Sequence, residues 1–455
     1  MRIAFLVIAS ALLAAPAPAI EAPDGPVAFV NGMLLDGYEA EPIHQAVVVI
    51  DDNRIVAAGP RHRVDIPSNA TIVDIGGKTI LPGLIDAHVH VDLIGHGDYD
   101  RYYTFLGGMD RLDEVMPIAA KQMLRAGVTS AIDLGTPLEI LELREQIRAN
   151  KLPGPRLTVS GPWITRVYLE GVPDDYQLVA TSPREAAAHA RTLVRAGVDV
   201  IKTWVGLTLD DYRAIVDVAH DAGLKVHAHL YDPDAIRMAI DAGVDVFQHV
   251  GSARNPPYDP ALVNEIAHKG IPVVQTIAHR IWVYPATVAF PERLNKPSYA
   301  KDMPPDIYAE FMDSFEDFHR LSYFHDIGPE TRNSKIAARQ FIEGGAYMGV
   351  GTDAASPLNM HDEAMRFEMQ ALVESGMTPI QVISAATKTN AEILGQFEEL
   401  GTIEPGKLAD LVIVRGNPLA NIENIGNVDI VVKDGVVFYA ETAANGSVTD
   451  IGNPF

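Results

Sequence analysis

The sequence predicts an α/β protein: a (β/α)8 TIM barrel carrying a small β-sandwich domain formed by the N- and C-terminal segments. Three observations predict it. The first is a phrase that recurs through the middle of the chain: "RAGVTSAIDLG", "RAGVDVIKTWVG", "DAGLKVHAHLY", "DAGVDVFQHVG", "HKGIPVVQTI" and "EGGAYMGVGTDA". Each phrase puts Gly after a helical pattern, where a left-handed residue ends the helix. Each then runs into apolar, β-branched residues suited to a strand buried on both faces. The second observation is the number of such units. Strands are expected near Leu84–His90, Val128–Leu134, Leu157–Gly161, Val200–Val205, Lys225–Leu230, Val246–Val250, Ile271–Ile277 and Tyr347–Asp353. Helices are expected between them, for example Pro183–Ala196 behind the cap Ser182, Asp210–Ala222 and Asp234–Ala242. Eight strands, most followed by a helix, argue for a parallel barrel, with a doubly wound open sheet as the alternative. The third observation is a change of texture at both ends. "VAFVNGMLLDG" and "AVVVIDDNRIVAAGP" near the start, and "VDIVVKDGVVFYA" near the end, alternate short apolar runs with hairpin turns.

The resulting division is a composite β-domain from residues 20–80 and 400–455, with the barrel inserted as residues 81–399. Residues 1–19 read as a cleavable signal peptide. Arg2 precedes the apolar run Ile3–Ala15, and Ala17-Pro18-Ala19 offers a small-x-small cleavage site. A secreted or periplasmic location is therefore expected, with no membrane attachment after cleavage. Residues 280–328 show no clean helical period and are rich in Pro, Tyr and Phe, the pattern of a lid or binding loop.

Composition narrows the chemistry. The chain has 455 residues and a net charge of −24. That acidity argues against nucleic-acid partners, which need clustered Lys and Arg. With no cysteine, disulfides, thiolate metal sites and a Cys nucleophile are excluded. Any metal must be held by imidazole and oxygen ligands.

The C-terminal ends of barrel strands carry the chemistry in this architecture. The first expected strand ends with His88 and His90, which point to one side because they are two apart. The fourth holds Lys202, the fifth His227 and His229, the sixth His249 and the eighth Asp353. One buried histidine is ordinary. This many polar residues at one rim would be costly to bury unpaired, and the types suit a divalent metal.

"LPGLIDAHVHVD", "GVGTDAASPL" and "ATKTNAEILG…LGTIEPGKLADLVIVRGNPL" resemble, in combination, the motifs of the amidohydrolase superfamily. The resemblance covers nearly all of the chain after residue 19 and is nearest to the imidazolonepropionase-like and prolidase-like branch. It implies a binuclear site for two divalent ions, zinc by default. His88 and His90 match the ligands of the more buried ion, and Lys202 the N6-carboxylated lysine that bridges both. His229 and His249 match the ligands of the second ion, with His227 as the rival on the fifth strand. Asp353 matches the ligand that also shuttles the proton, and Tyr231 the hydrogen-bond donor to the developing oxyanion. Two departures bear on specificity. The second strand ends Ile132-Asp133, where prolidase-like relatives usually have Arg-Asp. The loop after the third strand reads "TRVYLEG" in place of Gly-Gly-His. Arg166 and Tyr168 are candidates for binding a substrate carboxylate there, although a solvated loop explains them equally. His279, Arg280 and His361 face a similar choice between lining the pocket and packing.

The implied reaction is hydrolysis of an amide or peptide bond in an N-acyl amino acid or dipeptide-like substrate, by attack of a metal-bridging hydroxide. A lactonase, esterase or phosphotriesterase on the same scaffold is the alternative, and a non-catalytic binding protein the remote one. A mononuclear deaminase fits less well. Deaminase relatives lack the bridging lysine and carry a Glu shortly after the fifth-strand histidine, where this chain has "HLYDPD". The expected partner is a small molecule or short peptide, and a homo-oligomer stays open.

Overall fold

The structure, a computed structural model, describes residues 25–108, 110–250, 256–316, 324–325 and 327–440. The expected signal peptide lies outside the described residues. No helix among the described residues is long and apolar enough to cross a membrane.

The strands in chain order are β1 (Val27–Leu34), β2 (Ile43–Asp51), β3 (Arg54–Pro60), β4 (Thr71–Asp74), β5 (Thr79–Pro82), β6 (Leu84–Val89), β7 (Val128–Asp133), β8 (Arg156–Val159), β9 (Trp163–Thr165), β10 (Gln177–Val179), β11 (Val200–Thr203), β12 (Lys225–His229), β13 (Val246–Gln248), β14 (Pro272–Val274), β15 (Tyr347–Gly349), β16 (Leu411–Val414), β17 (Val428–Lys433) and β18 (Val436–Ala440).

Both ends of the chain enter one sheet, in the order β18-β17-β16-β5-β1-β2-β3, with β4 also pairing β1. The joint between the two ends is the antiparallel pair β16–β5, in which Ile413 lies opposite Ile80. Alternation along β2 sends its side chains to two cores. Ala46, Val48 and Ile50 join Leu411, Ile413 and Ile430, whereas Val47 and Val49 join Ala28, Val30 and Val64.

The middle of the chain is a parallel α/β assembly. All eight expected strands are present with trimmed ends, but they fall into two sheets rather than one closed sheet. One is β6-β7-β8 and the other β10-β9-β11-β12-β13-β14-β15. Backbone hydrogen bonds outside the regular ladders span the seams. Asp199 N donates to Val159 O at 2.8 Å, and Ala87 N to Val350 O at 3.0 Å. The helices follow the expected caps. Ser182 receives the Glu185 N–H ahead of Pro183–Ala196, which ends at Gly197 with φ 89°. Thr208 and Asp211 form a reciprocal capping box on Leu209–Asp221.

The largest departure is in residues 280–328. Short helices occupy Tyr284–Ala289, Pro297–Asp302 and Pro305–Asp313, after a π-helical turn His279–Val283. Helices of six to nine residues are too short to display a hydrophobic period. Their sequence signal was proline at the first helical turn, where its missing N–H costs nothing.

Asn390, from the "ATKTNAEILG" motif, stitches the seam between β6 and β15. Its Nδ2 donates to Ile85 O at 2.6 Å and Val350 O at 2.7 Å, and its Oδ1 accepts from Val350 N at 3.1 Å. All of this is buried. Asn390→Ala is expected to destabilise the protein by about 2–4 kcal/mol, because it strands three buried backbone groups. A denaturation midpoint unchanged from wild type would refute that role.

Candidate metal centre

Three left-handed, non-glycine residues mark the ends of consecutive strands: His249 (φ 67°) after β13, Thr276 (φ 52°) after β14 and Asp353 (φ 56°) after β15. Such conformations are costly and persist where surrounding structure holds them, often at functional sites. At His249 the effect is visible. Neighbours on a strand normally face opposite sides, yet Gln248 and His249 both reach the interior. Gln248 contacts His88 and His227, while the His249 ring lies 4.6 Å from His88 and 4.4 Å from His229.

The structure gathers most of the predicted site residues into one cluster. The His88 and His90 rings are 5.3 Å apart. Their Nε2 atoms lie 3.5 Å and 3.2 Å from the same Oδ1 of Asp353. These three residues form a group able to hold a metal ion. Tyr231 stands edge-on to His229 at 4.6 Å and is 5.5 Å from His249. Its hydroxyl is 3.3 Å from an Arg280 nitrogen. Trp204 stacks on His229 at 4.0 Å and on Trp163 at 5.0 Å.

Lys202 is fully buried on β11, and its Nζ is 5.9 Å from the Trp204 ring. Burial pushes its pKa down to about 7, against the pull of the Asp353 and Asp133 carboxylates. His88 and His249 are likewise held far below the usual histidine range, by burial first and then by neighbouring positive charge. They sit there as neutral imidazoles, the form that binds metals. Burial alone would push the Asp353 carboxyl up. The hydrogen bond from His90, followed by the surrounding His88, His90 and His279 rings, outweighs burial and holds it well below the usual carboxylate range.

The supporting contacts orient these groups. His249 Nδ1 meets Thr276 Oγ1 at 2.7 Å, and His88 Nδ1 meets Gln248 Oε1 at 2.8 Å. Asp133, at the end of β7, accepts from Val91 N at 2.8 Å and from both the backbone and the hydroxyl of Thr136. It thereby fixes the backbone just after His90. Among the described residues, His88 Nε2, His249 Nε2 and Lys202 Nζ are buried without a hydrogen-bond partner. Orphaned atoms of these types, converging with a carboxylate, fit divalent metal ions.

Other candidates are placed differently. Arg166 and Tyr168 turn their polar heads to other partners. Arg166 forms a two-pronged ion pair with Asp211 at 2.6 Å and 3.1 Å, at the start of helix Leu209–Asp221. Tyr168 is 56% exposed and hydrogen-bonds Asp174. His361 is buried beneath the loop after β6, with Nε2 3.2 Å from Leu93 O. His279 is buried beside Arg280 and 5.6 Å from the Tyr284 ring. The backbone N–H groups of Ile277 and Ala278 are received by Glu368, at 3.0 Å and 2.7 Å. Glu368, Gln248 and Trp204 were not predicted. Only the Gln248-His249 adjacency carried a signal, and strand alternation argued against reading it.

The sequence pattern of the "Amidohydrolase family" matches residues 79–438. The chain is 24% identical over 398 residues to an imidazolonepropionase from Salinispora arenicola, covering 81% of this chain and 85% of that one. It is 23% identical over 418 residues to a 5-methylthioadenosine/S-adenosylhomocysteine deaminase from Moorella thermoacetica, covering 82% of each. In structure it is similar to a Xaa-Pro dipeptidase crystallised with methionine in the active site. That match has a TM-score of 0.72 and 24% identity, over 91% of this chain and all of the other. The chain belongs to the amidohydrolase family and is a hydrolase of carbon–nitrogen bonds.

Proposed function

We propose that this chain is an exported, binuclear metal-dependent amidohydrolase that cleaves an amide or peptide bond in an N-acyl amino acid or dipeptide-like substrate. The observation that carries the proposal is Lys202: fully buried, unpartnered at Nζ among the described residues, and held near pKa 7 beside the histidine cluster. A neutral amine adds CO2 with loss of one proton. The resulting carbamate is an anion able to bridge two cations. His88, His90 and Asp353 would hold one divalent ion, His229 and His249 the second, and a carboxylated Lys202 both.

Two such ions, zinc by default, supply Lewis acidity and an activated water. The chain's own residues do the rest. The Asp353 carboxylate takes up a proton and delivers it to the leaving nitrogen. The Tyr231 hydroxyl donates a hydrogen bond to the substrate oxygen as negative charge grows there. Arg280 lies 3.3 Å from that hydroxyl and is itself paired with Glu330 at 3.4 Å. This reading also treats the two parallel sheets as one closed barrel, the terminal strands as a β-sandwich domain, and residues 1–19 as a cleaved leader.

Metal analysis of the purified full chain is expected to find about two divalent ions per chain, the number a binuclear site holds. One ion or none overturns the binuclear proposal. Assays on N-acyl amino acids, dipeptides, lactones and phosphotriesters are expected to give turnover on the amides. Turnover confined to lactones or phosphotriesters would overturn the substrate class and leave the metal site standing.

A further inference from the structure

Gln248 lies between two buried histidines. Its Oε1 is 2.8 Å from His88 Nδ1, and its Nε2 is 3.1 Å from His227 Nδ1. An amide oxygen only accepts hydrogen bonds and an amide nitrogen only donates them. A third contact sets the amide's orientation. Nε2 also faces the Ala87 carbonyl at 3.4 Å, where a second oxygen would be repelled. A neutral imidazole has one ring hydrogen to place, and a nitrogen that accepts a hydrogen bond carries none. His88 must carry it on Nδ1, which leaves a bare Nε2 toward Asp353. His227 must accept at Nδ1, so its hydrogen sits on Nε2, and an N–H cannot ligate a metal.

We propose that Gln248 is a positioning residue that assigns opposite tautomers to His88 and His227, making His88 a metal ligand and His227 a hydrogen-bond donor toward the head of Lys202. The metal role of His88 and the donor role toward Lys202 rest on the function proposed above. The tautomers do not. Lys202 and His227 lie directly opposite each other in the parallel pair β11–β12, so their side chains leave the same face. Among the described residues, Lys202 Nζ and His227 Nε2 are both buried without partners. An ammonium would set donor against donor. A carbamate on Lys202 accepts, and the Nε2–H of His227 complements it. The same arrangement explains why the "KVHAHLY" strand carries two histidines and offers only His229 as a ligand.

The test is histidine-15N NMR of the full chain, chelator-treated and zinc-loaded, with resonances assigned by His88→Asn and His227→Asn. The expected result in both states is hydrogen on Nδ1 of His88 and on Nε2 of His227. Gln248→Glu should move the His227 hydrogen to Nδ1, because a carboxylate only accepts, and leave His88 unchanged. Gln248→Leu should blur the distinction and weaken zinc binding in chelator competition by about 10- to 100-fold, the usual loss for removing a ligand's orienting partner. Hydrogen on Nδ1 of wild-type His227, or an unmoved hydrogen in Gln248→Glu, overturns the proposal. The wild-type spectrum decides the matter even where a variant fails to fold. The chelator-treated spectrum is independent of metal count. The expected tautomers in a protein that binds no zinc would therefore sink the metal reading and leave the assignment by Gln248 intact.

Discussion

Lys202→Ala is expected to lower kcat/KM by at least about 10^3-fold, some 4 kcal/mol of transition-state stabilisation, and to strip divalent metal from the purified protein. A second buried lysine shows why this site is unusual. Lys407 is 8% exposed, and its Nζ donates to Phe397 O at 2.6 Å, Leu400 O at 3.3 Å and Thr402 Oγ1 at 2.6 Å. That is how an ammonium is buried at tolerable cost: all three of its donors are satisfied. Lys202 has no hydrogen-bond partner at Nζ among the described residues. A structural role would therefore make Lys202→Ala neutral or stabilising, since it removes a desolvated amine. The two readings predict opposite signs for stability and very different activities. A variant that keeps wild-type metal content and rate would refute the bridging role. Bicarbonate labelled with 13C should give a carbamate signal in wild type that the variant lacks.

Asp353→Asn is expected to lower kcat by about 10^2- to 10^4-fold, the range for loss of a positioned general acid or base. Geometry singles out this carboxylate. It touches both His88 and His90, its backbone N–H donates to His88 O at 2.9 Å, and its left-handed backbone aims it into the cluster. The amide keeps the shape and one metal-capable oxygen but cannot carry the proton. Single-turnover kinetics with a fast-leaving substrate should recover part of the lost rate, because that leaving group needs no proton. An equal loss on both substrates would assign Asp353 to metal binding alone.

Much of the site was legible because parallel α/β units put function at the C-terminal ends of their strands. His88, His90, His229, His249, Lys202 and Asp353 all follow or end apolar runs, and "HVH" and "HAHLY" keep period-two spacing. The structure brings Tyr231 into the same cluster, as its position two beyond His229 implied. Arg166 was a weaker inference. A loop arginine shows no sign in sequence of whether its partner is a substrate or a helix start. Here Asp211, 45 residues later, takes it.

Local sequence patterns account for the alternation of strands and helices, the eight parallel units, the shared sheet of the two termini and the identity of the metal-type side chains. These follow from local propensity, helix-ending glycines and apolar periodicity, which act within a few residues. Long-range packing sets which nitrogen of each histidine faces the cluster, that Arg166 pairs with Asp211, and that Gln248 and His249 both point inward. Those outcomes depend on single backbone torsions and on hydrogen bonds between residues far apart in the chain, such as His88 and Gln248, 160 positions apart. No local pattern encodes such contacts, because the partners meet only once the strands have paired.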